Sequence, residues 1–320
     1  MMMNLWFFTG LSMENSKVNT AFVLDNVGCE NRCVFCGNHT RKNIDENIER
    51  EFEKITRICR KNDVAQVEVS GNDPVEYEEL PKIVEKITDI CGCDGVAIST
   101  HGMDLEDESF LNELVESGAD YFRIPLYGHN VEVHDSVTLN EGSFVRLMKA
   151  FKNLRELKNG SEVPGLLVTS LILKDNQDHL EQLFHFMSKL DFVDEFRIGL
   201  AGYDPENKDF VPHIPDFGKL EKDLPELLSY AESIGLDEKL SLADIPMCLR
   251  NYKWGKIGDF IPPEGGYEHF GIIGKDAPIY MQKIKTSDCR SCKHNKNCPG
   301  FLRTYVENGY FTPKPVKDEE

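Results

Sequence analysis

Apolar and polar positions alternate along this chain in two rhythms that take turns. A short apolar run, Thr20 to Leu24, reads as a strand, and Asp45 to Arg60 then carries Ile48, Phe52, Ile55 and Cys59 at helical spacing. Val64 to Ser70 alternates as a strand does and ends at Gly71-Asn72-Asp73-Pro74. A helix is predicted over Tyr77–Ile90, with Leu80, Ile83, Val84 and Ile87 as its stripe. Val96–Thr100 is a third strand, closing at His101-Gly102. A helix (Asp107–Ser117), a strand (Tyr121–Leu126), a loop and a helix (Gly142–Leu157) follow, then strands Gly165–Leu173 and Glu195–Leu200 around the helix Asp178–Leu190.

Six strands with intervening helices call for a parallel sheet with right-handed crossovers. The fold class predicted is α/β, a partial (β/α)6 TIM-like barrel, with an open doubly wound sheet as the alternative. In a barrel, functional residues belong at the C-terminal ends of the strands. Past residue 200 the rhythm breaks. Asp204 to Asp216 is rich in proline and charge and reads as a linker; a helix (Leu220–Ile234) and a short strand (Leu240–Ala243) follow, and the chain is then irregular and glycine-rich until Cys289. The expected division is an N-terminal extension (1–19), the barrel (20–203), a linker and helix (204–238), a smaller C-terminal domain (239–312) and a disordered tail (313–320).

Composition narrows the classes. The 320 residues suit one large domain with an appendage. Thirty-six basic against fifty-five acidic side chains give a formal charge of −19, which disfavours nucleic acid as a partner. No apolar run approaches the roughly 20 residues of a membrane span, and the opening Met-Met-Met-Asn-Leu-Trp-Phe-Phe lacks the features of a signal peptide. The expected compartment is the cytoplasm, where ten cysteines point to metal ligands or free thiols rather than disulfides.

Chemistry concentrates at Cys29, Cys33 and Cys36, spaced by three and two residues directly after the first strand. Three thiolates on one short loop can hold three corners of a [4Fe–4S] cluster and leave its fourth iron open to a small molecule. A second set, Cys248, Cys289, Cys292 and Cys298, offers four thiolates, enough to close the shell of a cluster or of Zn²⁺. Zinc commonly uses two Cys-x2-Cys pairs. This set has one such pair and two outlying cysteines, so both metals stay open at this point. Cys59, Cys91 and Cys93 lie in or beside a predicted helix and read as core or free thiols.

The Cys-x3-Cys-x2-Cys loop, with Phe35 before its last cysteine, resembles the radical S-adenosylmethionine (SAM) superfamily. Ser70-Gly71-Asn72-Asp73-Pro74 stands where that family carries a Gly-Gly-Glu-Pro-like segment, departing from it at Asn72 and Asp73. Ser99-Thr100-His101-Gly102 resembles its Thr-Asn-Gly turn, and Arg123 to Gly128, His134-Asp135 and Gly142-Ser143-Phe144 resemble a series found in members with Twitch or SPASM auxiliary domains.

The resemblance implies a first [4Fe–4S] cluster on Cys29, Cys33 and Cys36 and a second, auxiliary [4Fe–4S] cluster on Cys248, Cys289, Cys292 and Cys298. It implies SAM contacts at Ser70, Gly71, Asn72, Asp73, Thr100, Arg123 and the backbone near Ile198. For Arg123 an ordinary ion pair is the competing reading, for Asn176 a helix cap competes with a family position, His101 reads as a turn residue, and His134-Asp135 reads as a brace capping the next helix.

The implied activity is reductive cleavage of SAM to a 5′-deoxyadenosyl radical that takes hydrogen from a small-molecule or peptide substrate. A low-potential electron donor of flavodoxin or ferredoxin type is the implied partner. About twenty residues precede the first strand, which weighs against a domain that binds a peptide leader. A two-cluster electron carrier and a zinc-stabilised binding protein are the readings from other classes.

Overall fold

Eight strands pair in chain order to make one parallel sheet. They are β1 (Val18–Leu24), β2 (Val64–Gly71), β3 (Gly95–Ser99), β4 (Ala119–Pro125), β5 (Gly165–Ile172), β6 (Glu195–Leu200), β7 (Leu240–Ala243) and β8 (Gly258–Asp259). Between them run α1 (Ile44–Cys59), α2 (Leu80–Cys91), α3 (Glu108–Glu116), α4 (Val131–Thr138), α5 (Ser143–Lys158), α6 (Leu180–Met187), α7 (Phe217–Ser233) and α8 (Met247–Arg250). This is a computed structural model, and it describes residues 18–25, 27–36, 44–159, 163–250, 258–259, 279 and 282–317. Most of the expected extension 1–19 and of the glycine-rich stretch before Cys289 lies outside the described residues.

The expected partial barrel is present, and two strands extend it. Leu240–Ala243, expected in the smaller domain, pairs in parallel with β6, and β8 pairs with β7. The reason lies in alternation. Leu240 and Leu242 are buried and continue the apolar face that Phe196 and Ile198 present on β6.

The sheet has two unlike faces. Phe22, Val67, Val69, Val96, Ile98, Phe122, Ile124, Val168, Phe196 and Ile198 pack into the main apolar core beneath the helices. Phe22 meets Phe52 of α1 edge to face, with ring centroids 4.8 Å apart, and full burial of such a side chain stabilises by about 1.5–3 kcal/mol. The opposite face carries Gln66, Glu68, Ser99, Arg123, Arg197 and Ser241. Purely parallel sheets are usually apolar on both faces, so this polar face marks an interior built for more than packing.

Helix ends follow local chemistry. Asp107 caps α3 by accepting from the N–H groups of Ser109 and Phe110, and Asp216 caps α7 through the Lys219 N–H. Two predicted regions differ. The loop before Gly142 contains α4, capped by Asn130. The stretch read as a linker forms a 3-10 turn, Lys208–His213, whose Phe210 is buried in the core.

After the barrel, the hairpin β9 (Lys283–Ile284) and β10 (Phe301–Leu302) carries the last cysteines, and α9 (Arg303–Glu307) follows. Tyr305 of α9 is fully buried, stacks on Tyr203 and donates its hydroxyl to Ala201 O at 2.8 Å. That contact fixes the C-terminal segment against the end of β6. One further expectation is corrected: Cys59 and Cys91 form a disulfide, and only Cys93 of that trio is a free thiol. α1 and α2 pack side by side and their last residues meet, a contact that spacing along the chain does not reveal.

Candidate functional site

Cys29, Cys33 and Cys36 occupy the loop that leaves the C-terminal end of β1. Backbone bonds hold this loop on α4: Arg32 N–H donates to Thr138 O at 2.8 Å and Val34 N–H to Val137 O at 3.0 Å. Those carbonyls are the unpaired end of the helix, so the loop supplies what the helix lacks. Asn140 Nδ2 donates to the buried Asn31 Oδ1 at 3.0 Å. Phe35 lies edge to face on Tyr127, with centroids 5.4 Å apart.

Burial raises the Cys33 thiol well above the ordinary thiol range, and the Cys36 and Cys29 thiolates beside it push the same way. Three thiols that oppose one another's ionisation need a cation among them to become thiolates together. The donor set therefore fits a metal or cluster, and the same three charges also raise Tyr127, after burial.

The segment after β2 meets this loop. Gly71 has φ +142°, and the position of a Cβ there is taken by the Leu24 carbonyl of β1. The glycine lets two strand ends converge; that is the close approach it serves. Asn72 Nδ2 donates to Asp25 O at 2.8 Å and Val27 O at 2.7 Å, which fastens the chain just before Cys29. Asp73 is fully buried and accepts the Thr100 hydroxyl at 2.5 Å. His101 Nε2 meets Asp73 and, at 3.1 Å, Glu76. Burial opposes a charge on His101, but Asp73, Cys29 and Glu76 outweigh it and raise its pKa well above the usual histidine value. Cys29, Glu76 and His101 bring their ligand atoms within 4.8 Å of one another. His101 is thus more than a turn residue: it links the second and third strand ends to the cysteine loop.

Other expected residues lie apart. Arg123, 1% exposed, is paired with Glu68 at 3.1 Å and bonded to Gln66 at 3.1 Å. This is the ion pair of the two readings, formed because Arg123 lies within β4, on the same face as Glu68, rather than past its end. Burial raises the Glu68 pKa, and Arg123 and Ser99 oppose that rise. Ser70 is buried at the end of β2. The Ile198 side chain belongs to the core beneath the helices, on the face opposite Arg197.

Asp135 is the brace that its position suggested. It accepts from Gly142 N–H at 2.6 Å, Ser143 Oγ at 2.8 Å and Phe144 N–H at 2.9 Å. Its neighbour His134 is buried, accepts the Tyr127 N–H at Nδ1 and has its pKa pushed down to about 4, so it stays neutral. Asn176 makes no side-chain cap; it ties Tyr127 O and Leu171 O to its own turn at 2.9 Å.

Sequence reasoning missed Arg146 of α5. Its guanidinium bonds Glu30 of the cysteine loop at 2.5 Å, Asp104 at 2.5 Å and Glu106 at 2.7 Å. Glu30 and Arg146 are 116 residues apart, and no local pattern pairs them.

The second cysteine set gathers around the β9–β10 hairpin. Cys248 has a thiol pKa pushed up to about 11 by burial, with Cys298 and Cys289 adding to it and the Lys314 N–H opposing. Gly300 N–H donates to Cys298 Sγ at 3.4 Å and Val316 N–H to Cys292 Sγ at 3.4 Å, while the Thr286 hydroxyl lies 3.6 Å from Cys289 Sγ. Gly300 has φ +99°, and a Cβ would strike the Ile284 carbonyl, so the Cys-Pro-Gly turn depends on this glycine.

Known proteins share this arrangement of strands. The fold is similar to that of native anSMEcpe with bound AdoMet and the Cp18Cys peptide, with a TM-score of 0.63 at 13% identity over 94% of this chain and 93% of that one. It is similar to Streptococcus suis SuiB bound to precursor peptide SuiA, with a TM-score of 0.59 at 13% identity over 95% and 75% of the two chains. In sequence, GTP 3′,8-cyclase of Aquifex aeolicus (strain VF5) is 26% identical over 141 residues, 44% of this chain and 42% of that protein. The match thus spans less than half the length of that relative. Among the described residues no helix is long and apolar enough to cross a membrane. The sequence profile of the Radical SAM superfamily matches residues 23–187, just over half of the chain and all three cysteines of the first loop. The chain is an enzyme, and it belongs to the radical SAM superfamily.

Proposed function

We propose that Cys29, Cys33 and Cys36 hold the [4Fe–4S] cluster that the superfamily implies, that Cys248, Cys289, Cys292 and Cys298 hold a second one, and that the enzyme takes hydrogen from a small-molecule or peptide substrate seated at the C-terminal ends of the strands. The observation that carries the reading is the convergence of the three-cysteine loop with Asp73, Thr100 and His101 at those ends. When bound there, the first cluster supplies the electron that splits the SAM sulfonium bond into methionine and a 5′-deoxyadenosyl radical.

The chain's own residues supply position and exclusion. Asn72, Arg146 and the α4 carbonyls hold the cysteine loop in place. Asp73 fixes the Thr100 and His101 turns, so the ends of β2 and β3 present a rigid polar rim to the amino-acid part of SAM. Ser70 and the backbone at Gly71 complete that rim. The backbone near the Ile198–Leu200 strand end lines the adenine side. The Glu68–Arg123 pair lies deeper in the polar interior and shapes its floor. The four C-terminal thiols, two of them bonded by backbone N–H groups, are an all-sulfur set suited to an electron-accepting cluster. In this division the barrel sheet runs from β1 through β8, 204–239 connects β6 to β7, and Cys248 with the β9–β10 hairpin carries the auxiliary cluster.

Both structural relatives are described with bound peptides, which supports a peptide among the candidate substrates; a small metabolite stands equal to it. A low-potential flavodoxin or ferredoxin is the expected donor. The test is anaerobic. Reconstituted with iron and sulfide, the protein should carry about eight irons per chain and no zinc, and should release 5′-deoxyadenosine from SAM with dithionite. Cys33→Ala should release none. A fully reconstituted wild-type protein that leaves SAM intact would overturn the reading.

A further inference from the structure

The residues after 312 were expected to form a disordered tail, and the chain does something else with them. Phe311 is buried against Phe217 and Phe301, and Pro313 is buried beside it. From there residues 314–316 cross the second cysteine set. Val316 N–H donates to Cys292 Sγ at 3.4 Å, and its carbonyl accepts the Lys293 N–H at 2.9 Å. The Lys314 ammonium reaches both oxygens of Glu221 on α7 at 2.7 Å, which pins the strap from outside.

The sequence of the strap fits this placement. Residues 313–316 read Pro-Lys-Pro-Val. Proline has no N–H and restricts both itself and the residue before it to extended backbone. Only Lys314 and Val316 retain an N–H in this stretch, and that of Val316 reaches sulfur, at Cys292. A thiolate bonded by N–H is stabilised as charge accumulates on it, and hydrogen bonds to sulfur and exclusion of solvent set the potentials of iron–sulfur centres.

We propose that the Pro313–Val316 strap is a positioning element of the auxiliary centre, whose Val316 N–H raises its reduction potential so that it accepts an electron more readily. The proposal rests on the four-cysteine reading above. It names the job of a segment that carries no cysteine. A net charge of −19 disfavours adding an electron anywhere on this protein, and the strap offsets that locally.

The experiment is a potentiometric titration of the reconstituted holoenzyme followed by electron paramagnetic resonance, with the signal of the first cluster as internal reference. Val316→Pro removes one N–H and keeps the carbonyl. Its auxiliary centre should show about tenfold less reduced form at a fixed potential, a shift of about 59 mV to more negative values, while the first cluster is unchanged. Val316→Ala keeps both the N–H and the carbonyl, so it should titrate as the wild type does. Val316→Pro with both clusters loaded and an unchanged auxiliary potential overturns the proposal. A wild type with about four irons per chain, or with zinc, overturns the four-cysteine reading and the proposal together, so the two failures are told apart. Should Val316→Pro lose its auxiliary irons, hydrogen exchange on the wild type decides. The amide of Val316 should exchange slowly in the loaded protein and fast after chelation; equal rates overturn the proposal.

Discussion

The two cysteine sets are built from the same side chain and surrounded by opposite chemistry. Around Cys29, Cys33 and Cys36 stand Asp73, Glu76 and His101, groups that can face a charged ligand. Beside Cys292 and Cys298 stand backbone N–H groups that donate to sulfur, and beside Cys289 one hydroxyl. Three thiols leave a coordination position and four close it. The surroundings follow the count: the incomplete set has polar side chains arranged beside it, and the complete set is wrapped by main chain. On the proposed reading the first is a place for chemistry and the second for an electron.

The largest expected effect tests that difference directly. Cys33→Ala and Cys298→Ala each should cut iron from about eight to about four per chain, yet their consequences should diverge. With Cys33→Ala, 5′-deoxyadenosine should fall to the level of a protein-free control. With Cys298→Ala, SAM cleavage driven by dithionite should persist, because the electron can reach the first cluster without the second. Equal loss in both variants, with the first cluster's resonance signal intact in Cys298→Ala, would erase the distinction drawn here.

The two sets also differ in how much of them the sequence discloses. The triplet and its strand are contiguous, so spacing and alternation suffice to put Cys29, Cys33 and Cys36 at a strand end. The apolar alternation of Val64–Ser70 and Val96–Thr100 likewise exposes the barrel, because strand identity is a local property. The supports are another matter. Arg146 reaches Glu30 across 116 residues, and Arg123 chooses Glu68 on a neighbouring strand. Both pairings depend on strand register and helix packing, which no window of sequence contains. α4 escaped notice because eight residues, Val131–Thr138, give too few turns for a periodic stripe. The strap was misread for the converse reason. Proline and lysine at a chain end look like disorder, yet the prolines stiffen a segment whose Val316 N–H meets the Cys292 sulfur. Cys59 and Cys91 paired because two helix ends met.

A smaller effect comes from the brace beneath the first set. Asp135 accepts three hydrogen bonds at the start of α5, and α4, which carries it, holds the cysteine loop through Val137 and Thr138. Asp135→Ala should cost about 2 kcal/mol of stability, the range of a lost helix cap with charged acceptors. It should loosen the first set and spare the second. Under a fixed dose of chelator the variant should lose irons from the first cluster several times faster than wild type, with the auxiliary signal decaying at the wild-type rate. Equal acceleration at both would mean that the two sets share one support.

The smallest effect isolates stability from both sets. Asp120 stands near the start of β4, at the end of the barrel away from the cysteine loop, half-buried, with Oδ1 unbonded. Burial raises its pKa from 3.8 to about 6, opposed chiefly by its backbone hydrogen bonds and Arg123. The sign follows from which state holds the proton. Between pH 3.8 and about 6 the unfolded chain ionises first, so stability falls as pH rises, and above about 6 the penalty is constant. Two pKa units correspond to about 3 kcal/mol, and partial exposure screens this to about 1 kcal/mol. Asp120→Asn should therefore stabilise the protein by about 1 kcal/mol at pH 7 and by nothing at pH 3.5, measured by urea unfolding. Iron content and SAM cleavage should not move. A variant that gained stability and lost either cluster would show that the lower barrel and the cysteine loop are coupled, and the contrast between the two sets would then have to be drawn for the whole barrel rather than for its rim.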